Sequence, residues 1–137
     1  MAILVDGSAV LAAADRADLH HEAALAWFRR VDEPLLLGAL TLAELDVLLQ
    51  RELGPTATLA LLASLADGAL RLVAPTPEDL ARAATLLEEA AEHRPRLADA
   101  VLVATGERLG IRRIVTFDRR PLAIFRPRHL RAFDLEP

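Results

Sequence analysis

The chain has 137 residues, 53% of them hydrophobic, and a formal net charge of −4, which suits one domain spanning residues 1–137 around a single sizeable core. It has no cysteine, and all sixteen of its basic residues are arginine, which excludes disulfides, thiolate metal sites, the phosphate-gripping lysine of a P-loop and the lysine of a phospho-receiver site. No apolar run approaches the ~20 residues a membrane span needs, and no basic stretch leads into a long apolar one at the start, so a soluble cytoplasmic protein is expected.

Residues 2–5 form a short, wholly apolar run stopped by Asp6-Gly7-Ser8, as expected of a buried parallel strand entering a turn. An Ala/Leu helix follows over 8–14. Ala23, Ala24, Trp27, Phe28 and Val31, three and four apart, predict an amphipathic helix over 19–31. A second strand is expected over 35–38. Thr41 is placed to cap a helix over 42–53, with Glu44 three residues on as in a capping box and Gly54-Pro55 ending it. A helix over 56–67 and a third strand over 70–74 come next. Thr76-Pro77-Glu78-Asp79 predicts a helix start, running to about residue 92 before Arg94-Pro95-Arg96 breaks it. A helix over 97–109 ends at Gly110, and a fourth strand covers 113–117. Residues 119–130 are expected to be irregular, ahead of an edge strand within 131–135. Strands alternating with helices, and without tight hairpins, predict an α/β fold: a three-layer α/β/α sandwich on a mostly parallel sheet.

Four acids stand out in that plan. Asp6 and Asp118 each follow an apolar strand, where functional groups of open α/β sheets collect. Glu44 precedes Val47 and Leu48 by one helical turn, and Asp99 likewise precedes Leu102 and Val103. Both carboxylates are therefore expected at the edge of an apolar stripe, pointing inward. Asp46 lies about 160° around its helix from Glu44 and is left out. Taken singly, Asp6 could cap a helix, Glu44 complete a capping box, Asp99 favour a helix start and Asp118 begin a turn. Together they predict a divalent-metal site. Two charges about 4 Å apart repel by roughly 4 kcal/mol at an effective dielectric near 20, and a hard cation offsets this. Oxygen-only donors suit Mg²⁺ or Mn²⁺, and the absence of cysteine and of a His-x-x-x-His pair argues against zinc. Ser8 and Thr116 place hydroxyls beside Asp6 and Asp118, as candidates to bind a metal-held water or a phosphate, against the plainer capping or strand role for each.

Charge is distributed unevenly. Residues 1–93 carry 6 arginines and 15 acids, whereas residues 94–131 carry 10 arginines and 3 acids, two of the three being Asp99 and Asp118. Arginines around a few carboxylates suit a polyanion held beside a metal. Arg112, Arg113, Arg119, Arg120, Arg126 and Arg128 are the candidates for guiding a nucleic-acid backbone, against the plainer reading of solvated helix faces. The four histidines are read as surface or structural residues, and Trp27 and Phe28 as core.

Ile3-Leu4-Val5-Asp6-Gly7-Ser8, Thr41-Leu42-Ala43-Glu44-Leu45-Asp46, Leu97-Ala98-Asp99-Ala100 and Ile114-Val115-Thr116-Phe117-Asp118-Arg119-Arg120 occur in this order over essentially the whole chain. The set resembles the motifs of PIN-domain ribonucleases, specifically the VapC toxins of bacterial toxin–antitoxin pairs. By that resemblance Asp6, Glu44, Asp99 and Asp118 occupy the family's acidic metal-binding positions, holding Mg²⁺ or Mn²⁺. The resemblance further implies a structured RNA substrate such as a tRNA or ribosomal RNA, a VapB-type antitoxin partner and a homodimer. Gly7 stands where threonine or alanine is common, Arg120 where many members have a further acid, and Pro121-Leu122 where an aromatic is frequent. No fifth carboxylate ligand is therefore expected.

The implied chemistry is metal-dependent phosphodiester hydrolysis leaving a 5′-phosphate and a 3′-hydroxyl. A route through the RNA 2′-hydroxyl would need a histidine or lysine acid–base pair that the chain does not offer. Two other readings compete. A haloacid-dehalogenase-like phosphatase would need a second Asp where Ser8 stands, and a non-catalytic PIN-like RNA- or partner-binding module would have no need of all four acids.

Overall fold

A computed structural model describes the whole chain, Met1–Pro137. Its centre is a five-stranded sheet in the order β3-β2-β1-β4-β5, made of β1 (Ile3–Val5), β2 (Leu35–Gly38), β3 (Arg71–Val73), β4 (Arg113–Val115) and β5 (Asp134–Glu136). Every neighbouring pair is parallel, with Leu4 facing Leu36 on one side and Ile114 on the other. The chain lays β2 and β3 to one side of β1, then returns to lay β4 and β5 on the other. The order therefore reverses between β1 and β4, and open α/β sheets bind ligands beyond the strand ends at such a reversal.

Seven helices cover the two faces: α1 (Gly7–Ala14), α2 (His21–Arg30), α3 (Ala39–Leu53), α4 (Pro55–Ala66), α5 (Pro77–Glu89), α6 (Leu97–Leu109) and the short α7 (Arg120–Ala123). Alternation along β1 serves both layers, because successive side chains leave opposite faces. Ile3 and Val5 join Trp27, Leu37, Leu45 and Leu49 on one face, while Leu4 joins Leu86, Val101, Leu102 and Ile114 on the other. α6 is the central helix, and its residues Ala98 through Gly106 are all buried. Gly106 lets it lie close: a Cβ there would come within 2.9 Å of the Phe133 ring and 3.1 Å of Leu4 Cδ1. No helix is long and apolar enough to cross a membrane.

Four local expectations are corrected. α3 starts at Ala39 rather than after Thr41, because β2 runs straight into it through extended Gly38 (φ −71°, ψ 145°) with no intervening loop. Thr41 is consequently buried inside the helix and caps nothing. The helix from Thr76 stops at Glu89, after which a 3₁₀ turn at Ala91–His93 leads to Arg94 in the left-handed region (φ 49°, ψ 56°). The stretch expected to be irregular contains α7, and the last strand lies slightly later than expected, pairing with β4.

Candidate active site

β1 and β4 deliver two of the four acids to the same sheet edge. The Asp6 N–H donates to the Val115 carbonyl at 3.0 Å, continuing the ladder one step beyond β1. Asp6 occupies the N-cap position of α1, yet its side chain makes no capping hydrogen bond. Its Oδ2 instead accepts from Ser8 Oγ at 2.6 Å and lies 2.8 Å from Thr116 Oγ1. Thr116 Oγ1 also accepts the Asp118 N–H at 3.1 Å, and Ser8 Oγ accepts the Phe117 N–H at 2.9 Å. The two hydroxyls thus tie the ends of β1 and β4 together and fix the Asp6 carboxylate.

The helices bring the other two. Asp99 sits in the first turn of α6 with only 4% of its surface exposed, and Leu102 and Val103 beneath it are buried as expected. Glu44 lies in the second turn of α3, flanking the buried stripe Thr41, Leu45 and Leu49. The expectation that Val47 shares that stripe is corrected, since Val47 is 63% exposed and the stripe runs one residue later, through Leu45 and Leu49. Because α3 begins at Ala39, Glu44 cannot complete a capping box, and its side chain remains half exposed at the cleft. Asp46 faces away, within hydrogen-bond distance of Gln50 and Thr58.

Asp6, Glu44, Asp99 and Asp118 line one cleft of about 130 Å³ together with Ser8, Thr41 and Arg96. Arg96 is the residue that the sequence motifs did not single out. Its Nε donates to Asp99 Oδ2 at 2.9 Å and its Nη1 stands 3.8 Å from Glu44 Oε2. With the guanidinium among them, no three carboxylates are drawn close enough to ligate one ion as the side chains lie. The only sequence signal for Arg96 is its place three residues before Asp99, since the residue at a helix N-cap, as Arg96 is for α6, lies beside the third residue of the helix.

The charges in the cleft act on one another. Burial pushes the Asp99 carboxyl above the usual carboxylate range; Arg96 opposes this, while the nearby Asp6 and Glu44 add to it. Partial burial disfavours the Arg96 charge, but Asp99, Glu44 and Asp6 more than compensate and hold it more firmly protonated than usual. Asp6, Glu44 and Asp99 are near enough to act on one another's charge, Asp118 shares their cleft, and a guanidinium already attends them, an oxygen donor set of the kind a hard divalent cation takes.

The candidate backbone-guiding arginines divide sharply. Arg112 and Arg113 enter β4 at its amino end, opposite the acids. Arg113 is committed to Glu33 at 2.6 Å and to Glu136, and Arg112 lies 3.8 Å from Asp134. Arg119 reaches the carbonyls of Leu135 and Pro137. The Arg126 carbonyl and the Arg128 N–H engage Arg82 and Glu107 near the far end of α6, about 12 Å along the helix from Asp99. Arg120 alone of the six adjoins the acids, with Nε 3.6 Å from Asp118 Oδ1 and its side chain almost wholly exposed. Among the histidines, His21 and His129 bond the carbonyls of Ala12 and Ile111, and His20 stacks on Phe117. His93 is a surface residue, half exposed 3.5 Å from Glu92, and lines a second cleft that also reaches Asp99 and Asp118.

The PIN domain model matches residues 3–126. The chain is 33% identical over 125 residues to Ribonuclease VapC26 of Mycobacterium tuberculosis, covering 91% of this chain and 93% of that one. Among solved structures it resembles VapC20 of M. tuberculosis, described as a Sarcin-Ricin loop cleaving toxin, with a TM-score of 0.82 and 25% identity over 94% of this chain and 98% of that one. VapBC2 of Rickettsia felis, solved bound to a DNA fragment from its promoter, shares the fold at a TM-score of 0.72 and 11% identity, each chain being covered completely. With the parallel sheet, the acid cleft at its reversal point and a family match over nearly its full length, this chain belongs to the PIN-domain family, in its VapC ribonuclease group.

Proposed function

We propose that this protein is a Mg²⁺- or Mn²⁺-dependent endoribonuclease acting as the toxin of a type II toxin–antitoxin pair. The observation that carries the metal-dependent part is the meeting of Asp6, Glu44, Asp99 and Asp118, from four separate parts of the chain, around one cleft. These four residues would hold the ion. When bound, it would lower the pKa of an attacking water and offset charge on the phosphoryl oxygens, leaving a 5′-phosphate and a 3′-hydroxyl. Ser8 and Thr116 keep the Asp6 carboxylate in one orientation, which lowers the cost of assembling the site. Asp99, buried among other acids, supplies negative charge whose cost a divalent cation relieves. Arg96 provides that relief in part until it is displaced.

The substrate is an RNA with defined structure, such as a ribosomal RNA or tRNA, a reading supported by the likeness to a toxin that cleaves the sarcin–ricin loop. A VapB-type antitoxin is the partner, in keeping with the VapBC complex that shares this fold. An apolar groove of about 630 Å³, walled by Phe28, Leu35, Leu61 and Leu70 among others, has the size and character to take an amphipathic segment of such a partner. Leu59 and Leu62 on α4 and Val47 on α3 expose apolar surface that suits a homodimer. The absence of a membrane-crossing helix accords with action in the cytoplasm.

The test is cleavage of total RNA by the wild type and by Asp6→Asn and Asp99→Asn with Mg²⁺ or Mn²⁺. Activity that depends on added metal and is lost in both variants supports the proposal. Undiminished cleavage in either variant, or in excess EDTA, defeats it. A non-catalytic binding module is disfavoured by Asp99 itself, since a buried and charge-crowded carboxyl works against folding and would be readily lost without a use. A phosphatase of the haloacid dehalogenase type lacks its second acid, because Ser8 stands there and is committed to Asp6.

A further inference from the structure

Beside the acid cleft lies a second depression of about 370 Å³ that shares Arg96, Asp99 and Asp118 with it and is walled by His93, Arg94 and Arg120. Two of its arginines are open to a ligand. Arg94 makes no side-chain ion pair or hydrogen bond within the chain, and Arg120 is almost wholly exposed, with only a loose 3.6 Å approach to Asp118. Arg113, by contrast, is consumed by two glutamates.

Arg94 is also the one non-glycine residue with positive φ. A left-handed backbone costs an L-residue roughly 1–2 kcal/mol, a strain glycine would not feel. A long cationic side chain at such a position, on the wall of a cleft that opens onto the acids, stands where a phosphate in that cleft would meet it. The cleft contains no phenylalanine or tryptophan, the chain has no tyrosine, and the single ring on its wall is the His93 imidazole, so a bound strand would be held mainly by charge.

We propose that the depression walled by Arg94, Arg96 and Arg120 is the track for the RNA backbone, holding the phosphates next to the one presented to the acids. This rests on the ribonuclease reading above. Arg96 joins the two clefts: its side chain attends the acids, and once turned aside it faces the strand. Arg94 and Arg120 are in place beforehand.

The experiment compares Arg94→Gly, Arg120→Ala and their double variant with Arg112→Ala, which removes the same charge from the opposite end of the sheet. Affinity for a fluorescently labelled, mixed-sequence single-stranded RNA is measured in EDTA over a salt series, with a gel to check that the strand stays intact. Each cleft variant is expected to bind roughly three- to tenfold more weakly at about 0.1 M salt, with a log–log salt slope shallower by about 0.7 per arginine removed. Arg112→Ala should leave both unchanged. Arg94→Gly should melt no lower than the wild type, because glycine accepts the left-handed backbone. Arg94→Lys should retain most of the affinity. The proposal is overturned if the double variant binds with the affinity and slope of Arg112→Ala, or if all three single variants lose affinity equally, which would show a diffuse field. With Mg²⁺ present, the double variant should raise KM while leaving kcat near the wild-type value. A wild type that cuts no RNA, or a strand cut in EDTA, would count against the metal-dependent ribonuclease reading and leave the cleft's role to be judged by binding alone.

Discussion

Asp79 and Asp99 are both nearly sealed from solvent, on helices α5 and α6 that pack against each other, and each receives an arginine Nε at 2.9 Å. Their surroundings differ in what else faces them. Asp79 accepts the Thr76 N–H while Thr76 Oγ1 accepts its own N–H, a complete capping box with Arg108 on the remaining side. Burial would raise its pKa, but Arg108 and Thr76 outweigh burial and hold it below the usual range. Asp99 accepts no backbone N–H and faces Asp6 and Glu44, so burial prevails and its pKa is raised. Burial of an acid is therefore uninformative alone. Whether its charge is satisfied locally separates Asp79, which serves the fold, from Asp99, the carboxylate proposed to act in the cleft.

The contrast is most exposed to failure in paired substitutions. Asp99→Asn should lower RNA cleavage by on the order of 10²–10³-fold, without loss of stability in the metal-free protein. Asp79→Ala should do the reverse, costing about 3 kcal/mol in urea unfolding by stranding Arg108 and removing the cap, with kcat per folded molecule retained. If Asp79→Ala abolished activity in a fully folded sample, the division between the two acids would be wrong. Next in size, Thr116→Val removes the hydroxyl beside Asp6 without changing volume and should weaken metal binding or activity roughly 10–100-fold, as titration calorimetry with Mn²⁺ would show.

Arg96→Gln sharpens the comparison further. It should destabilise the metal-free protein while tightening Mn²⁺ or Mg²⁺ binding roughly tenfold, equivalent to about 1.4 kcal/mol, because no guanidinium needs displacing. Unchanged or weaker metal affinity would show that Arg96 does not compete with the ion. The smallest effect is in pH dependence. The raised Asp99 pKa means the folded state holds more protons above about pH 3.9, so its contribution to stability falls as pH rises through the folded value. The lowered Asp79 pKa acts oppositely: its contribution is full above about pH 3.9 and is lost as pH falls through the folded value. Asp99→Asn and Asp79→Asn should therefore change the slope of stability against pH with opposite signs.

The acids were legible because each lies beside a local signal of its own: a strand end for Asp6 and Asp118, a helical register for Asp99. Glu44 was placed at the cleft for a partly mistaken reason, since the periodicity around Val47 and Leu48 was read one residue early and Thr41 was given a cap that Gly38 makes unnecessary. The arginines were much less legible. Which end of a parallel strand faces the cleft follows from topology, and whether an arginine is free follows from partners such as Glu33 and Glu136, 80 and 23 residues from Arg113. Arg96 and Arg94 lay in a segment read only as a helix break, where neither the pairing with Asp99 nor the left-handed turn leaves a periodic trace.

The seamless joint between β2 and α3 constrains where related chains can differ in length. With Gly38 serving at once as the last strand residue and the cap, and with Thr41, Leu45 and Leu49 setting the rotation of α3, no slack exists between Leu35 and Glu44. A single inserted residue would turn everything after it by about 100°, forcing a choice between burying the leucines and aiming the glutamate. Insertions should instead gather where the chain can bulge outward, as at the exposed Asp67-Gly68 corner, leaving the spacing from strand to glutamate a fixed ruler of this architecture.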